Sequence, residues 1–238
     1  MIRDFGHEVS QEEKERFSKY GSQESYQAIS MYFGALIGAQ NMNDILTKEN
    51  LQAILSEPKS IDGCHILTAK DATSGTEVMK ASIDRYVLSS EEFLDIVTGK
   101  ATATIFHHVY MDGYASAAVV YNMFNSLQSN PENVFLCSYN YKGDYIRKTV
   151  ERNNMYTGHN KKKYAFVVDL ALTPDDMIYI LEEYDKVIWI DHHSTSLEYF
   201  DDMIMMAAQN KKYHPMDIAF IVDTRISAAL MAWNLFVN

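Results

Sequence analysis

Seven side chains in the later part of the sequence have the types and spacing to hold a divalent cation. They are His108 and Asp112 in "FHHVYMDGYAS", Asp169 in "FVVDLAL", the run Asp191, His192 and His193 in "VIWIDHH", and Asp223 in "FIVDTR". These aspartates interrupt or end apolar runs, where a carboxylate is costly to bury unless a cation or good hydrogen bonds answer it. A set of carboxylates and imidazoles without thiolates suits Mn2+, Mg2+, Fe2+ or Zn2+, and its richness in carboxylates leans towards the harder ions.

The elements that must position these residues are legible as hydrophobic periodicity. From residue 101 onward, short β-branched and aromatic runs alternate with amphipathic ones. The pattern predicts strands over 103–109, 133–139, 164–170, 186–191 and 217–223. Helices are expected between them in "GYASAAVVYNMFNSLQ", "DYIRKTVERN", "TPDDMIYILEEY" and "SLEYFDDMIMMAAQ", with a last one in "RISAALMAWNLF". Thr173 reads as an N-cap and Pro174 as the first helical residue. Such alternation implies an α/β fold, a mainly parallel sheet with helices on both faces. Sheets of this kind collect ligands outside the carboxyl ends of their strands. His108, Asp112, Asp169, the Asp191–His193 run and Asp223 all fall there. His107, one residue before His108, faces the other side of its strand and is expected to be structural.

Residues 1–100 read differently, as a mostly helical region before an α/β domain at 101–238. "SQEEKERFSKY" opens with a capping box, Ser10 with Glu13 three residues on. "SQESYQAISMYFGALIGAQ" has helical spacing, "TKENLQAIL" starts on Thr47, and "SSEEFLDIVTG" starts on Ser89 or Ser90 and stops at Gly99. The stretch from Ser60 to Val87 is ambiguous and has room for a hairpin. No chemistry beyond scaffold is apparent in this region.

Composition narrows the partners. The 238 residues carry a formal net charge of −11, with 21 Lys and Arg against 32 Asp and Glu. Long duplex nucleic acid is an unsuitable partner for such a chain, because binding phosphates without regard to sequence needs a basic face. A small nucleotide held through metal ions remains compatible. Two cysteines, Cys64 and Cys137, fit a reducing compartment rather than a disulfide framework. No apolar signal core or membrane-spanning run is present. The expectation is a soluble cytoplasmic protein with no membrane partner, free to use residues 1–100 for a protein partner or self-association.

Taken in order, the motifs resemble those of the DHH phosphoesterase superfamily, which includes single-strand exonucleases, phosphodiesterases of short oligonucleotides and cyclic dinucleotides, and manganese pyrophosphatases. "VIWIDHH" is similar to the signature that names the family. "FHHVYMDGYASAAVV" resembles its first motif, His-x-Asp-x-Asp-Gly before a small-residue helix, and "FVVDLAL" resembles its second. "DTRISAALMAWNLF" is similar to the Ser-Ala helix that follows the DHH strand in some members. The resemblance covers roughly residues 103–238 and the DHH domain only. The substrate-binding domain that usually follows is not expected, since the sequence stops at Asn238 after the "AWNLF" helix.

The resemblance implies two metal ions, Mn2+ or Mg2+, bridged by Asp169. One would be shared by His108 and Asp169, the other by Asp112, Asp169 and His192. His193 would face the substrate phosphate, Asp191 would support the site, and Asp223 would take the fourth-motif place, sooner after the DHH strand than the pattern has it. Such a pair makes a hydroxide and clamps phosphoryl oxygens. The implied activity is a metal-dependent phosphohydrolase or phosphodiesterase acting on a small nucleotide or short single-stranded oligonucleotide.

One ligand departs from the motif: Tyr110 stands where the first aspartate belongs. A neutral phenol is a poor ligand for a hard cation. Tyr110 can be read as a structural plug, a substrate-stacking ring, or the mark of a site that has lost a metal. The alternative to the enzyme is therefore a catalytically impaired binding or assembly protein on the same fold, with one ion or none. Other features have plainer readings. "GHNKKKY" suits a solvated loop before a strand better than a phosphate contact, and the Met-rich runs of the later helices suit core packing.

Overall fold

The sequence that alternates short apolar runs with amphipathic ones folds as strands alternating with helices in the computed structural model. It describes residues 59–61, 64–70, 74–83, 87–125, 133–141, 145–157, 161–209 and 217–236. The helices expected around Ser10, in 22–40 and after Thr47 lie outside the described residues. So do the first residues of "GHNKKKY", whose last three open a strand.

Three strands come first, β1 (Lys59–Ile61), β2 (Cys64–Lys70) and β3 (Glu77–Ile83), followed by α1 (Ser90–Val97). Then the elements alternate: β4 (Ala101–His108), α2 (Met111–Asn125), β5 (Val134–Tyr139), α3 (Tyr145–Thr157), β6 (Lys162–Val168) and α4 (Pro174–Glu183). The chain continues through β7 (Lys186–Asp191), α5 (Ser194–Gln209), β8 (Ile218–Asp223) and α6 (Ala228–Phe236). Local chemistry sets several boundaries. Ser89 and Glu92 form a capping box at the start of α1, and Gly99 leaves that helix at φ +78. Thr173 caps α4 with Pro174 in its first turn.

All eight strands make one sheet in the order β1-β2-β3-β8-β7-β6-β4-β5. Strands β4 to β8 are mutually parallel, while β1, β2 and β3 form an antiparallel meander whose last strand pairs antiparallel with β8. The hairpin left open between Ser60 and Val87 is thus present, extended by a third strand. Because Met79 pairs with Asp223 and Ser82 with Phe220, the sheet runs across the boundary expected near residue 100.

Every side chain of β4, β7 and β8 is buried. That follows from helices covering both faces. On one face α1, α2 and α6 bury Ile96, Val120, Phe124 and Met231 against Ile105, Phe166 and Ile188. On the other, α3, α4 and α5 bury Val150, Ile180 and Phe200 against Phe106, Trp189 and Phe220. Among the described residues no helix is long and apolar enough to cross a membrane.

The parallel strands lie in the order β5-β4-β6-β7-β8. From β4 the chain departs towards one edge, to β5, and from β6 towards the other, to β7. Their loops diverge and leave a crevice above the carboxyl ends of β4 and β6. His108 ends β4, and Asp169 follows directly on β6.

Phe220 stacks on Phe200 with ring centroids 3.9 Å apart and meets the Trp189 ring at 4.7 Å. Replacing Phe220 with alanine should lower the unfolding free energy by about 3–5 kcal/mol. Urea denaturation checks this, and a loss below about 1 kcal/mol would contradict a close-packed β7–β8 face.

Candidate metal centre

Asp169 is the pivot of the rim. Its amide donates to the Ile190 carbonyl at 3.0 Å, continuing the β6–β7 ladder, and its backbone then turns into the left-handed region at φ +52. Aspartate tolerates that region better than most residues, and such conformations gather at functional sites. The segment that follows is held down by the Trp189 indole, which donates to the Leu170 carbonyl at 2.9 Å. The Asp169 side chain is 3% exposed. Among the described residues no hydrogen-bond donor is aimed at its Oδ1, although His192 Nε2 lies 3.0 Å away.

His192 also approaches Asp112, with Nε2 3.6 Å from Oδ2. Asp112 is placed by the first turn of α2, and Gly113 permits the close fit: a Cβ there would come within 2.2 Å of the His108 carbonyl oxygen. Across the rim, the Asp112 carboxylate accepts from the Ala228 and Ala229 amides, each at 3.3 Å, at the start of α6. Burial and the nearby Asp169 carboxylate push the Asp112 pKa up. The Asp169 carboxylate draws the His192 pKa up in turn. Two carboxylates sharing one imidazole, one of them deeply buried, form an arrangement that a cation would relieve.

Asp191, His192 and His193 sit where β7 ends. Asp191 is fully buried; Oδ1 accepts from His193 Nδ1 at 2.7 Å, and Oδ2 accepts from the Ser196 hydroxyl. That carboxylate orients His193, whose pKa it draws up, while the imidazole itself is 36% exposed. Asp169, Asp191, His192 and His193 each offer one ligand atom, all within 4.8 Å of one another. The donors are carboxylate oxygen and imidazole nitrogen, a set that could hold a divalent metal ion.

His108 stands beside this group, its ring centroid 6.5 Å from that of His193. Burial is the largest influence on it and lowers its pKa, against the opposing pull of Asp169. Tyr110 meets the His108 ring edge-on at 4.4 Å, yet it is 70% exposed, so the ring plugs nothing and sets no carboxylate beside His108. His107 faces the opposite side of β4, buried against Tyr114.

Asp223 is the expected ligand that the structure does not bring in. Its Oδ1 accepts from Arg225 Nε at 2.9 Å and from the Arg225 amide at 3.0 Å, and its Oδ2 from Arg225 Nη2 at 2.8 Å. A guanidinium two residues away already neutralises this carboxylate. Sequence reasoning missed Arg225 as the partner of Asp223, and Ser196 and Tyr141 as neighbours of the site. The "DTR" spacing could have signalled the first, and the serine in the first turn of the helix after "DHH" the second.

No protein-family model matches this sequence, and no curated protein matches it. Among solved structures the chain is similar to an uncharacterized protein from Helicobacter pylori G27, at 18% identity and a TM-score of 0.39, over 56% of this chain and 34% of that one. It is also similar to the DHH domain of a protein described as a member of a family of ribosomal proteins, at 15% identity and a TM-score of 0.41, over 66% of this chain and 43% of that one. A DHH domain thus stands among its structural neighbours. The matched region spans less than half of either neighbouring chain.

Gly113→Ala should push α2 off the end of β4, at a cost of about 1–3 kcal/mol. A urea midpoint equal to that of the unaltered protein would show that the helix does not approach the strand this closely.

Proposed function

We propose that Asp112, Asp169 and His192 hold a divalent cation, Mn2+ or Mg2+, with His108 beside a second position, and that the protein is a cytoplasmic metal-dependent phosphohydrolase. Its substrate is a small nucleotide or a short single-stranded oligonucleotide. The buried Asp169 Oδ1, 3.0 Å from His192 Nε2 with no donor aimed at it among the described residues, and a second carboxylate facing the same imidazole carry this reading. The order of the four motifs that resemble DHH phosphoesterases agrees with it.

When bound, the metal supplies Lewis-acid polarisation of a phosphoryl oxygen and a nucleophile at neutral pH. The chain's own residues do the rest. Ser196 holds Asp191, and Asp191 holds His193 through Nδ1, which leaves Nε2 to bind a phosphoryl oxygen or hand a proton to the leaving oxygen. Asp112 is kept in place by the two α6 amides, so substrate arrival requires no reorientation of that carboxylate.

Tyr110 favours a second reading, a binding or assembly protein that retains one ion and little activity. An exposed phenol supplies no negative charge beside His108, where the resembling motif has an aspartate. The two readings separate on metal count and turnover. For the enzyme, purified protein with Mn2+ should hydrolyse a cyclic dinucleotide, a short oligonucleotide or pyrophosphate, lose that activity in EDTA, and regain it with Mn2+. No hydrolysis together with no bound metal would end the proposal.

Asp169→Asn should weaken Mn2+ binding by about a hundredfold or more, read by calorimetry, since it removes the charge of the central ligand. Tyr110→Asp should raise occupancy from one ion per chain towards two, read by metal analysis of the dialysed protein. An unchanged count would show that position 110 does not face a metal position.

A further inference from the structure

We infer that Tyr110 and Tyr141 form a stacking rim for a nucleobase, so that the site selects phosphoesters carrying a base over pyrophosphate or sugar phosphates. This rests on the phosphohydrolase reading of the neighbouring cluster and adds what lies on the far side of the phosphate.

The two tyrosines reach one histidine from different strands. Tyr110 follows β4 and Tyr141 follows β5, and their ring centroids lie 4.4 Å and 5.1 Å from that of His108. Both are open to solvent, Tyr110 at 70% and Tyr141 at 45%, and Met111, next in the chain after Tyr110, is 60% exposed. Large apolar rings left open together beside a polar site mark a ligand surface.

Tyr141 is also held in a costly conformation. Its φ is +58, and with Asp169 it makes the pair of non-glycine residues with positive φ among those described. Its hydroxyl accepts from the Ala171 amide at 3.0 Å, which ties the ring to the turn that presents Asp169. Backbone strain of this kind persists where the surroundings fix a side chain in place.

The strand order sets the spacing. Along the rim run Asp191 to His193 on β7, Asp169 on β6, His108 and Tyr110 on β4, and Tyr141 on β5. Neighbouring strands lie roughly 5 Å apart, so the aromatic end is one to two strands, roughly 5 to 10 Å, from Asp169. One sugar bridges such a gap between a phosphate and its base. Rings that stack on a base while cationic groups hold its phosphate are the usual means of gripping unpaired nucleotides, and stacking tolerates any base. The chain's net charge of −11 leaves little general attraction for phosphate, which increases the weight of the stacking contribution.

The test compares AMP with ribose 5-phosphate by calorimetry, with and without Mn2+, on the full chain. Stacking should make AMP bind about five- to a hundredfold tighter. Tyr110→Ala should bring that ratio close to one, and Tyr110→Phe should preserve it, since the ring and not the hydroxyl does the stacking. Tyr110 is exposed, so neither change threatens the fold. A ratio near one in the unaltered protein, or a ratio untouched by Tyr110→Ala, overturns the inference. Mn2+ binding measured in the same samples keeps the two readings apart. Intact Mn2+ binding with no preference for AMP removes the stacking rim alone. Absent Mn2+ binding with the preference retained removes the hydrolase alone.

Discussion

A buried carboxylate oxygen, Oδ1 of Asp169, whose nearest polar neighbour among the described residues is the His192 imidazole at 3.0 Å, is the constraint around which the rim is arranged. Desolvating a carboxylate with only an imidazole to answer it is costly, so it survives only where the rest of the fold outweighs that cost. Here the surplus comes from two apolar layers, one on each face of the sheet, with Trp189, Phe220 and Phe200 on one side and Phe124, Phe166 and Ile188 on the other. The left-handed turn at Asp169 belongs to the same arrangement. The β6–β7 ladder and the Trp189 indole hold the turn in place, and the side chain is thereby presented above the strand ends.

A contrast within the sheet sharpens the point. Asp223 is as buried as Asp169 and also ends a parallel strand, but Arg225 caps both its oxygens. Lys80, buried on β3, reaches Asp201 at 2.8 Å and Glu77 at 3.3 Å. Where buried charge serves the scaffold, the chain supplies the counter-charge itself. At Asp169 and Asp112 it supplies one imidazole and two backbone amides, leaving an excess of negative charge at the crevice where β4 and β6 part. That difference in pairing separates a structural ion pair from a cluster that could hold a cation.

The aromatic end of the rim completes the division of labour. The same strand ends carry charge over β6 and β7 and exposed rings over β4 and β5. His108 is near both, its ring centroid 4.4 Å from that of Tyr110, 5.1 Å from that of Tyr141 and 6.5 Å from that of His193. Tyr110 is a departure when compared with a metal-binding motif and a natural component when grouped with Tyr141.

By itself the sequence determined what local forces decide. Apolar runs of the right length became β4 to β8, the capping residues Ser89, Thr173 and Pro174 started their helices, and Asp169 and the Asp191–His193 run fell at strand ends. Period-two alternation placed His107 and His108 on opposite faces. Tertiary structure alone decided which strand ends became neighbours. The crossover from β5 to β6 passes over β4 and brings His108 next to Asp169, and the β3–β8 pairing joins residues 77–83 to a sheet that begins again at residue 101. It also decided that Asp223 belongs to Arg225, that Gly113 lets α2 rest on the end of β4, and that Tyr141, 30 residues before Ala171, anchors to the Asp169 turn. Periodicity reports the face a residue takes on its own element. Partnership between elements depends on chain reversals and crossovers, whose geometry is settled only when both faces of the sheet are packed.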